Sequence, residues 1–436
     1  MSPTTRPSTD HLAVRPSLAR RFGRSALAVT LGVATFAGLA IAGLSVSTAE
    51  ASAPLATTST GPRTRPEKDR IVVAVVLGRS GSDTADVFAP YEVLTSSPAF
   101  NVYTVADTTA PAAMEGGLSV VPSYTFGEVA AGSAPAPDLI VVPAVNNPDG
   151  AEEQAARDFV TTQYQAGAHV LGICAGSRLL AASGILDGLR ATSHWSRIDP
   201  LETSRPAVSW VRGERYVQDG RVTTTGGVTS SIWGTLKVMS DLASPAEAAR
   251  VGALINYPGW SPDAPTAMPA QSFAAGDLTV LANSAFPWAR PTVDVRLDDG
   301  VGEIDAAALF EVYSYSQAAA ANAISTTGTI TTRHGLVIRT SASGTPTHQV
   351  LVPGEVTSRA GLHGFDAAFE QLSRTTSPTV VASIAKMLEY PLDRVSIDTP
   401  PPLVQWRTGL LVALGMILAV AVSAFPLVIR RTRHHS

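Results

Sequence analysis

The chain has almost no cysteine and no concentrated positive charge. Among its 436 residues Cys174 is the single cysteine, so no disulfide can form within the chain and apolar burial has to stabilise the fold. The net charge is -4, and no run of Lys and Arg occurs between the two ends of the sequence. That pattern lacks the basic surface with which proteins bind polyanions, so nucleic acid is not expected as a partner.

Metal-ligand and phosphate-binding motifs are also missing. The eight histidines are scattered without the spacing of a metal site, and no glycine-rich phosphate loop occurs. We therefore expect no metal and no other cofactor. What the sequence does contain is apolar: 45% of its residues are hydrophobic and 16% are charged, as in a globular protein with room for two cores.

An uncharged apolar segment, residues 25–47, follows a basic tail, residues 1–24, that ends with Arg20, Arg21 and Arg24. Its apolar core is longer than the core of about 7–15 residues usual in a signal peptide, which favours an uncleaved transmembrane anchor. The small residues around Ala51 nevertheless form an acceptable cleavage site. Both interpretations, signal peptide and anchor, stay open at this point.

A second uncharged segment, residues 408–429, is long enough to cross a hydrocarbon core of about 30 Å at about 1.5 Å per residue. The basic tail 430–436 follows it. Because basic residues flank membrane helices on the cytoplasmic side, both tails are expected in the cytoplasm. The body between the two segments is then extracytoplasmic.

The body begins after a Pro/Thr/Ser-rich linker, residues 48–69. Three continuous apolar runs, at 71–78, 138–145 and 169–174, are typical of strands buried on both faces, and an amphipathic helix is predicted between the last two. Strands that alternate with helices predict a three-layer α/β fold with a flavodoxin-like parallel sheet.

The second half of the body repeats elements of the first in the same order. The matching pairs are 86–93 with 305–312, 117–123 with 335–341, 140–145 with 350–356, and 244–258 with 377–391. These matches predict a complete domain at 70–258, a linker at 259–270 and a degenerate partial repeat of the same domain at 271–398. The alternative is that α/β proteins share such local patterns without duplication.

Cys174 stands directly after a buried strand and before an apolar helix, in the sequence GICAGS. Ala175 and Gly176 are small enough for a sharp turn, so the segment predicts a nucleophile elbow. The N-terminus of the following helix is expected to lower the pKa of the thiol.

Several motifs in the first domain resemble those of one family. They lie at residues 86–94, 137–144, 172–188, 190–195 and 224–239. Together they resemble the ThiJ/PfpI superfamily, a branch of the class I glutamine-amidotransferase-like fold. The segment RATSHW at 190–195 is most similar to the subgroup that contains isonitrile hydratases and the sensor halves of AraC-type regulators.

The resemblance implies roles for five residues. Cys174 is the elbow cysteine, Asp86 is the carboxylate beside the thiol, and His194 supplies the histidine, as a general base or proton shuttle. The backbone N–H groups of Ala144 and Ala175 are expected to form an oxyanion hole. Two alternatives stay open, namely that Asp86 only caps a helix and that His194 only packs at the rim of the site.

The site residues that the resemblance implies leave two candidate functions. The first is a cofactor-free cysteine hydrolase, hydratase or lyase that acts on a small electrophilic molecule. The second is a sensor or binding module that keeps the elbow without turnover. Because the partial repeat 271–398 cannot bury its own apolar faces, it is expected to pack against 70–258 as an intramolecular pseudo-dimer.

Overall fold

The computed structural model describes residues 18–50, 63, 69–115, 117–342, 349–353, 362–398 and 406–432. The predicted linker 48–69 and the two basic tails lie largely outside these residues. Within them, two apolar helices at the ends of the chain flank an α/β body.

Seventeen strands are formed in the described residues. In chain order they are β1 (Ile71–Val76), β2 (Phe100–Ala106), β3 (Ala112–Ala113), β4 (Ser119–Val120), β5 (Tyr124–Thr125), β6 (Leu139–Val142), β7 (His169–Gly172), β8 (Arg190–Ala191), β9 (Ser209–Trp210), β10 (Tyr216–Asp219), β11 (Val222–Thr225), β12 (Thr292–Arg296), β13 (Ala320–Ser325), β14 (Thr329–Thr331), β15 (Val337–Arg339), β16 (Ser341–Ala342) and β17 (Gln349–Leu351).

Thirteen α-helices accompany these strands in the described part of the chain. They are α1 (Leu18–Glu50), α2 (Thr84–Thr95), α3 (Phe126–Ala130), α4 (Gln154–Gln165), α5 (Ser177–Ala182), α6 (Trp195–Ser204), α7 (Ser230–Leu242), α8 (Pro245–Ile255), α9 (Leu278–Ala285), α10 (Glu303–Ser316), α11 (Gly364–Ser373), α12 (Pro378–Leu388) and α13 (Trp406–Thr432).

The first half is built around a seven-stranded sheet of order β10-β11-β7-β6-β1-β2-β5. Every neighbouring pair is parallel except β10 and β11, which form an antiparallel hairpin. Val73 in β1 pairs with Val102 in β2 and with Leu139 in β6. The predicted α/β fold with a mostly parallel sheet is therefore confirmed.

Both faces of this sheet are covered, because successive side chains of a strand point to opposite faces. Val73 and Val75 belong to one apolar core, whereas Ala74 and Val76 belong to another. The core that contains Val73 continues without interruption into the second half, where it includes Val295. The two halves thus share one hydrophobic core.

The second half contains a four-stranded parallel sheet of order β16-β13-β12-β17. Neighbouring strands in this sheet have the same order of connection along the chain as β5-β2-β1-β6 in the first sheet. In this comparison β12 takes the position of β1, and β13 that of β2. The hairpins β3–β4 and β14–β15 join edge to edge in one antiparallel sheet, in which Ile338 pairs with Val120. Backbone hydrogen bonds therefore link the halves directly.

Helices α8 and α12 begin and end in the same way. Each starts with Ser-Pro, and the Ser hydroxyl accepts a backbone N–H three residues on, at 3.1 Å for Ser244 and 3.3 Å for Ser377. Each ends at a left-handed residue, Asn256 or Glu389, both with φ 55°. The shared start and stop signals explain why these two sequence segments match.

Residues 259–270, predicted as a linker, lie against the first half. Arg215 N donates to Thr266 O at 2.9 Å, and Met268 N donates to Gly213 O at 2.8 Å. The segment is hydrogen-bonded along the edge of the first domain and does not form a free tether.

The two terminal helices pack against each other in antiparallel fashion. Gly32 of α1 faces Ala419 and Ser423 of α13, and Phe36 lies against Gly415. Among the described residues Val29–Ser47 is the one helical stretch long and apolar enough to cross a membrane, and Thr408–Ser423 is a shorter apolar helix.

Candidate active site at Cys174

Cys174 has a backbone conformation that few residues other than glycine adopt, with φ 53°. It follows β7 and opens a 3-10 turn, Cys174–Gly176, that leads into α5. A Cβ at Gly176 would overlap Val142 O and lie 2.8 Å from Pro143 O, so only glycine fits there. Cys174 N donates to Thr225 Oγ1 at 3.0 Å, which holds the turn. This is the geometry of a nucleophile elbow.

The elbow opens into a small cavity of about 140 Å³ that residues from both halves line. Cys174, Ala175 and His194 lie on the side of the first half. Tyr315 from α10 and Met387 from α12 lie on the side of the second half. The cavity is therefore completed by the second half of the chain.

A group of buried acids stands beside the cysteine. Carboxylate oxygens of Asp83, Glu115 and Glu311 lie within 4.8 Å of one another. Burial raises the pKa of Glu115 to about 8, with a further increase from the negative charge of Asp83 and an opposing effect of Arg197. Burial and the neighbouring acids likewise raise the pKa of Glu311. The group therefore keeps protons at neutral pH, because carboxylates this close cannot all ionise.

Hydrogen bonds connect these acids to helix α10. Tyr315 Oη donates to Asp83 Oδ2 at 3.0 Å, and the backbone N–H of Ala85 donates to Glu311 Oε1 at 2.7 Å. Burial raises the pKa of Asp83, and a hydrogen bond from protonated Glu311 opposes part of that increase. The same hydrogen bond contributes to the raised pKa of Glu311. Residues of the second half thus help to fix the charge next to Cys174.

Asp86 is completely buried at the third position of α2. Burial raises its pKa, and the negative charge of Asp83 raises it further. Its Oδ2 accepts the Ala144 N–H at 2.9 Å, whereas its buried Oδ1 has no hydrogen-bond partner among the described residues. The expectation that Asp86 only caps a helix is wrong, because the N-cap of α2 is Asp83.

Comparisons with known proteins agree on one family. The model of the DJ-1/PfpI family matches residues 71–241. Isonitrile hydratase of Pseudomonas putida is 32% identical over 180 residues, which cover 39% of this chain and 72% of that enzyme. The chain belongs to the DJ-1/PfpI family. The resemblance to the ThiJ/PfpI superfamily is thereby confirmed.

Two further matches of this DJ-1/PfpI chain have a lower identity or cover a smaller part of the chain. The HTH-type transcriptional regulator CdhR of Pseudomonas aeruginosa is 36% identical over 114 residues, or 26% of this chain, which spans 34% of the regulator's length. The crystal structure of a ThiJ/PfpI family protein from Pseudomonas syringae aligns with a TM-score of 0.39 at 24% identity, over 46% of this chain and 85% of that one.

The elbow thiol of this DJ-1/PfpI chain is not activated in the way the sequence predicts. Burial raises the pKa of Cys174, and the negative charges of Asp86 and Asp83 raise it further, while the N–H of Ala175 acts in the opposite direction. The predicted lowering by a helix N-terminus is outweighed, because burial and the two neighbouring acids both disfavour the thiolate.

His194 is the N-cap of α6 and is nearly buried. Its Nε2 lies 2.8 Å from Met387 O, and its Nδ1 lies 2.7 Å from Ser196 Oγ. Burial lowers the pKa of His194 to about 4, so the ring is neutral and donates from Nε2 to the carbonyl. Both ring nitrogens are engaged in this structure, and a role of His194 as base for Cys174 stays a prediction.

The predicted oxyanion hole is only half available. The N–H of Ala144 is donated to Asp86, so it cannot also stabilise an oxyanion unless that bond breaks. The N–H of Ala175 lies next to the sulfur of Cys174 and interacts with it. The two N–H donors that the sequence predicts for the oxyanion hole, those of Ala144 and Ala175, are therefore not both free in this structure.

A second group of acids lies where the two halves meet, with Glu92 of α2 next to Glu303 of α10 and His334. Glu303 accepts hydrogen bonds from Thr332 Oγ1 at 2.6 Å and from His334 Nδ1 at 2.8 Å. Arg333 Nη1 lies 3.5 Å from Glu92 Oε1. Their oxygens thus have partners from the protein itself, unlike Asp86 Oδ1 beside Cys174.

Sequence reasoning missed the residues that surround the thiol. Asp83, Glu115 and Tyr315 belong to three separate segments, and none stands in a recognisable motif. One signal was available: the predicted internal repeat matches Glu311 with Glu92, so the sequence could have indicated an acid at this helix position in both halves.

Proposed function

We propose that the chain is a membrane-anchored, extracytoplasmic DJ-1/PfpI protein that acts as a cofactor-free, cysteine-dependent hydrolase, hydratase or lyase on a small electrophilic molecule. The observation that carries this proposal is the Cys174 thiol at a small cavity, with the buried carboxyl of Asp86 close enough to influence its pKa. The buried Oδ1 of Asp86 is unpartnered among the described residues, and the raised pKa of Asp86 favours its protonated form, which can donate a proton to a substrate heteroatom. The similarity to isonitrile hydratase supports the same reaction class.

The proposed chemistry needs only the thiol, Asp86 and water. In one concerted step the Cys174 sulfur forms a bond to the electrophilic carbon, the protonated carboxyl of Asp86 gives its proton to the substrate heteroatom, and the thiol proton replaces it on Asp86. Water adds to the same carbon, the sulfur–carbon bond breaks, and the proton released from water returns to the sulfur. The thiol stays protonated until substrate arrives, which agrees with its raised pKa.

The second half is proposed to be a degenerate partial copy that occupies the place of a second subunit. Reciprocal contacts support this proposal. Ile304 N donates to Glu92 Oε2 at 2.6 Å, and Ala85 N donates to Glu311 Oε1 at 2.7 Å, so each helix N-terminus is bound by a glutamate of the other half. Tyr257 and Tyr390, equivalent residues of the repeat, also pack edge to face at 5.5 Å.

Helices α1 and α13 are proposed to form a two-helix membrane anchor with both basic ends in the cytoplasm. Their antiparallel packing supports this topology, because it brings Arg20, Arg21 and Arg24 to the same end as Arg430 and Arg431. A retained α1 is further supported by Ser47, whose hydroxyl donates to Ser284 O at 2.8 Å and receives Arg290 Nη2 at 2.7 Å. A cleaved signal peptide would lack such contacts to the body.

The proposed activity is tested with the full chain in detergent, assayed against isonitriles, amides and dicarbonyls. Cys174→Ser should abolish turnover, and Asp86→Asn should reduce it by about 10²–10⁴-fold, the usual contribution of general acid–base catalysis. Asp107→Asn is the matched control, since Asp107 is exposed and pairs with Arg79 away from the cavity. Turnover that survives in Cys174→Ser would refute the proposed class of reaction.

A sensor or binding module of the same fold is the second proposal. The raised pKa of the thiol and the fully engaged ring of His194 favour it, because both leave Cys174 unreactive in the resting protein. The similarity to the regulator CdhR supports it as well. Saturable binding of a small molecule without turnover, equal in the native chain and in Cys174→Ser, would distinguish this role from catalysis.

A further inference from the structure

We propose that the ligand of the Cys174 cavity carries a carboxylate next to its electrophilic carbon, and that Arg178 and Arg197 bind this carboxylate. The inference rests on the proposed function in one respect, namely that the cavity takes a small electrophile. It adds the chemical class of that molecule, which the family and the elbow do not specify.

The two arginines line the same cavity as Cys174 from different elements. Arg178 stands in α5 directly after the elbow, and Arg197 stands in α6 behind His194. Neither forms an ion pair or a side-chain hydrogen bond within the described part of the chain. By contrast, Arg212 is bound by Asp199 at 2.7 Å and by Glu202 at 2.8 Å.

The two guanidinium groups repel each other across this space. Burial lowers the pKa of Arg178, and the positive charge of Arg197 lowers it further, while Asp149 has a weaker opposing effect. A carboxylate bound between the two arginines would remove this repulsion. Guanidinium groups also match the geometry of a carboxylate and donate two parallel hydrogen bonds to it.

The acids in the cavity do not cancel this attraction. Glu115 has a pKa of about 8 and holds its proton at neutral pH, and His194 is neutral there. Asp83 is bound by Tyr315 and Glu311, on the side that faces α10. Arg178 and Arg197 have no ion-pair partner among the described residues, and even with Asp83 ionised the two arginines leave the cavity with a net positive charge, which favours a single negative charge in the ligand.

The size of the cavity limits the rest of the molecule. At about 140 Å³ it is well below the 300–1,000 Å³ that drug-sized ligands occupy. The carboxylate and the reactive carbon must therefore be close together in the ligand. A small acid with an electrophilic carbon near its carboxylate meets both requirements.

The test compares two alkylating agents that differ only in charge. Iodoacetate and iodoacetamide react with a thiol by the same displacement of iodide, but only iodoacetate carries a carboxylate. With the full chain in detergent, the ratio of the two alkylation rates at Cys174 is measured against the same ratio for a model thiol. We expect a ratio at least about tenfold above that of the model thiol.

Variants assign that preference to the arginines. Arg178→Gln and Arg197→Gln should each lower the ratio of the iodoacetate rate to the iodoacetamide rate by about tenfold, whereas Arg178→Lys should keep part of the preference. Arg212→Gln is the control and should change neither rate. A ratio equal to or below that of the model thiol, or one that both Gln variants retain, overturns the inference.

A second measurement covers the case in which Cys174 reacts with neither agent. Binding of acetate and of acetamide to the full chain is then measured by calorimetry. Acetate binding that exceeds acetamide binding and is lost in Arg178→Gln and Arg197→Gln supports the inference, even though an unreactive thiol counts against the proposed catalysis. Equal or absent binding of both compounds overturns it.

Discussion

Asp86 and Cys174 acquire their properties from burial more than from their neighbours in sequence. Burial is the largest cause of the raised pKa of both groups. Removing a charged form from water is costly, so the buried thiol and the buried carboxyl both favour the neutral state. Two adjacent negative charges are thereby avoided.

The first prediction concerns the pH dependence of this thiol. Because the folded protein raises the pKa of Cys174, its alkylation rate should still be increasing at pH values where a model thiol, with a pKa near 8.5, has reached its plateau. Asp86→Asn removes a negative neighbour and should shift the midpoint of the rate profile to lower pH. Iodoacetamide labelling across a pH series, quantified by mass spectrometry, measures both midpoints.

The control for this profile is Asp107→Asn, which should leave the midpoint where it is in the native chain. A native midpoint at or below about 8.5 would mean that the elbow does stabilise the thiolate, as the sequence alone had indicated.

At the scale of single residues, the sequence identified those candidate site residues that stand in recognisable motifs. The elbow cysteine and the two residues expected beside it, Asp86 and His194, stand in recognisable segments. The hydrogen bonds of His194 could not be predicted, because its partner Met387 lies 193 positions away in the chain. The direction of the thiol pKa was also wrong, since burial depends on contacts that no local pattern contains.

Among secondary-structure elements, those with strong local patterns were predicted well. β1, β6 and β7 lie inside the continuous apolar runs, and the predicted amphipathic helix is α4 preceded by a 3-10 turn, Ala151–Glu153. The two-residue strands β3 and β4 were not predicted as strands, because each is very short and β4 pairs with β15, which is distant in sequence.

The second prediction tests the elbow as an element. Gly176→Ala should destabilise the chain by about 1–3 kcal/mol or more, because its Cβ would meet the backbone carbonyls of Val142 and Pro143. Gly127→Ala is the matched control: its Cβ would approach nothing closer than 3.9 Å, so this variant should be as stable as the native chain or up to about 1 kcal/mol more stable. Thermal unfolding of both variants decides the matter, and equal melting of the two would contradict the close approach.

The third prediction concerns the pair of terminal helices. Gly32→Leu should separate α1 from α13, because a Cβ at Gly32 would overlap Ser423 and lie 3.0 Å from Ala419 O. Gly38→Leu adds the same apolar side chain where no described atom lies within 4 Å and should leave the pair intact. Cysteines introduced at Phe36 and Gly415 in a Cys174→Ser background report the pairing through a short bismaleimide cross-linker. Equal cross-linking in both variants would show that Gly32 is not in the contact.

At the scale of the whole molecule, one apolar core and one shared antiparallel sheet connect the two halves. The sequence predicted their association from the repeat, but it could not predict that Tyr315 and Met387 would close the cavity of Cys174. That arrangement depends on the orientation of α10 and α12 relative to the elbow, which only the assembled fold defines.

The fourth prediction separates the halves. Residues 271–398 expressed alone should be insoluble or molten, because their sheet and helices lose the core that they share with the first half. Residues 70–258 alone should self-associate through the exposed face of α2 and α7. Light scattering after size exclusion measures the second outcome and calorimetry the first. A cooperative melt of 271–398 on its own would show that it is an independent domain.

Tyr315 and Met387 belong to the same polypeptide as Cys174, so the cavity that they form should not depend on the protein concentration. A cavity shared between subunits is governed by mass action, so it falls apart when the protein concentration drops below the dissociation constant. Here the connecting segment keeps both walls of the cavity at a high effective concentration at all times. Each molecule therefore has one complete cavity once it has folded. Its ligand saturation curve should be hyperbolic and should not change with the protein concentration.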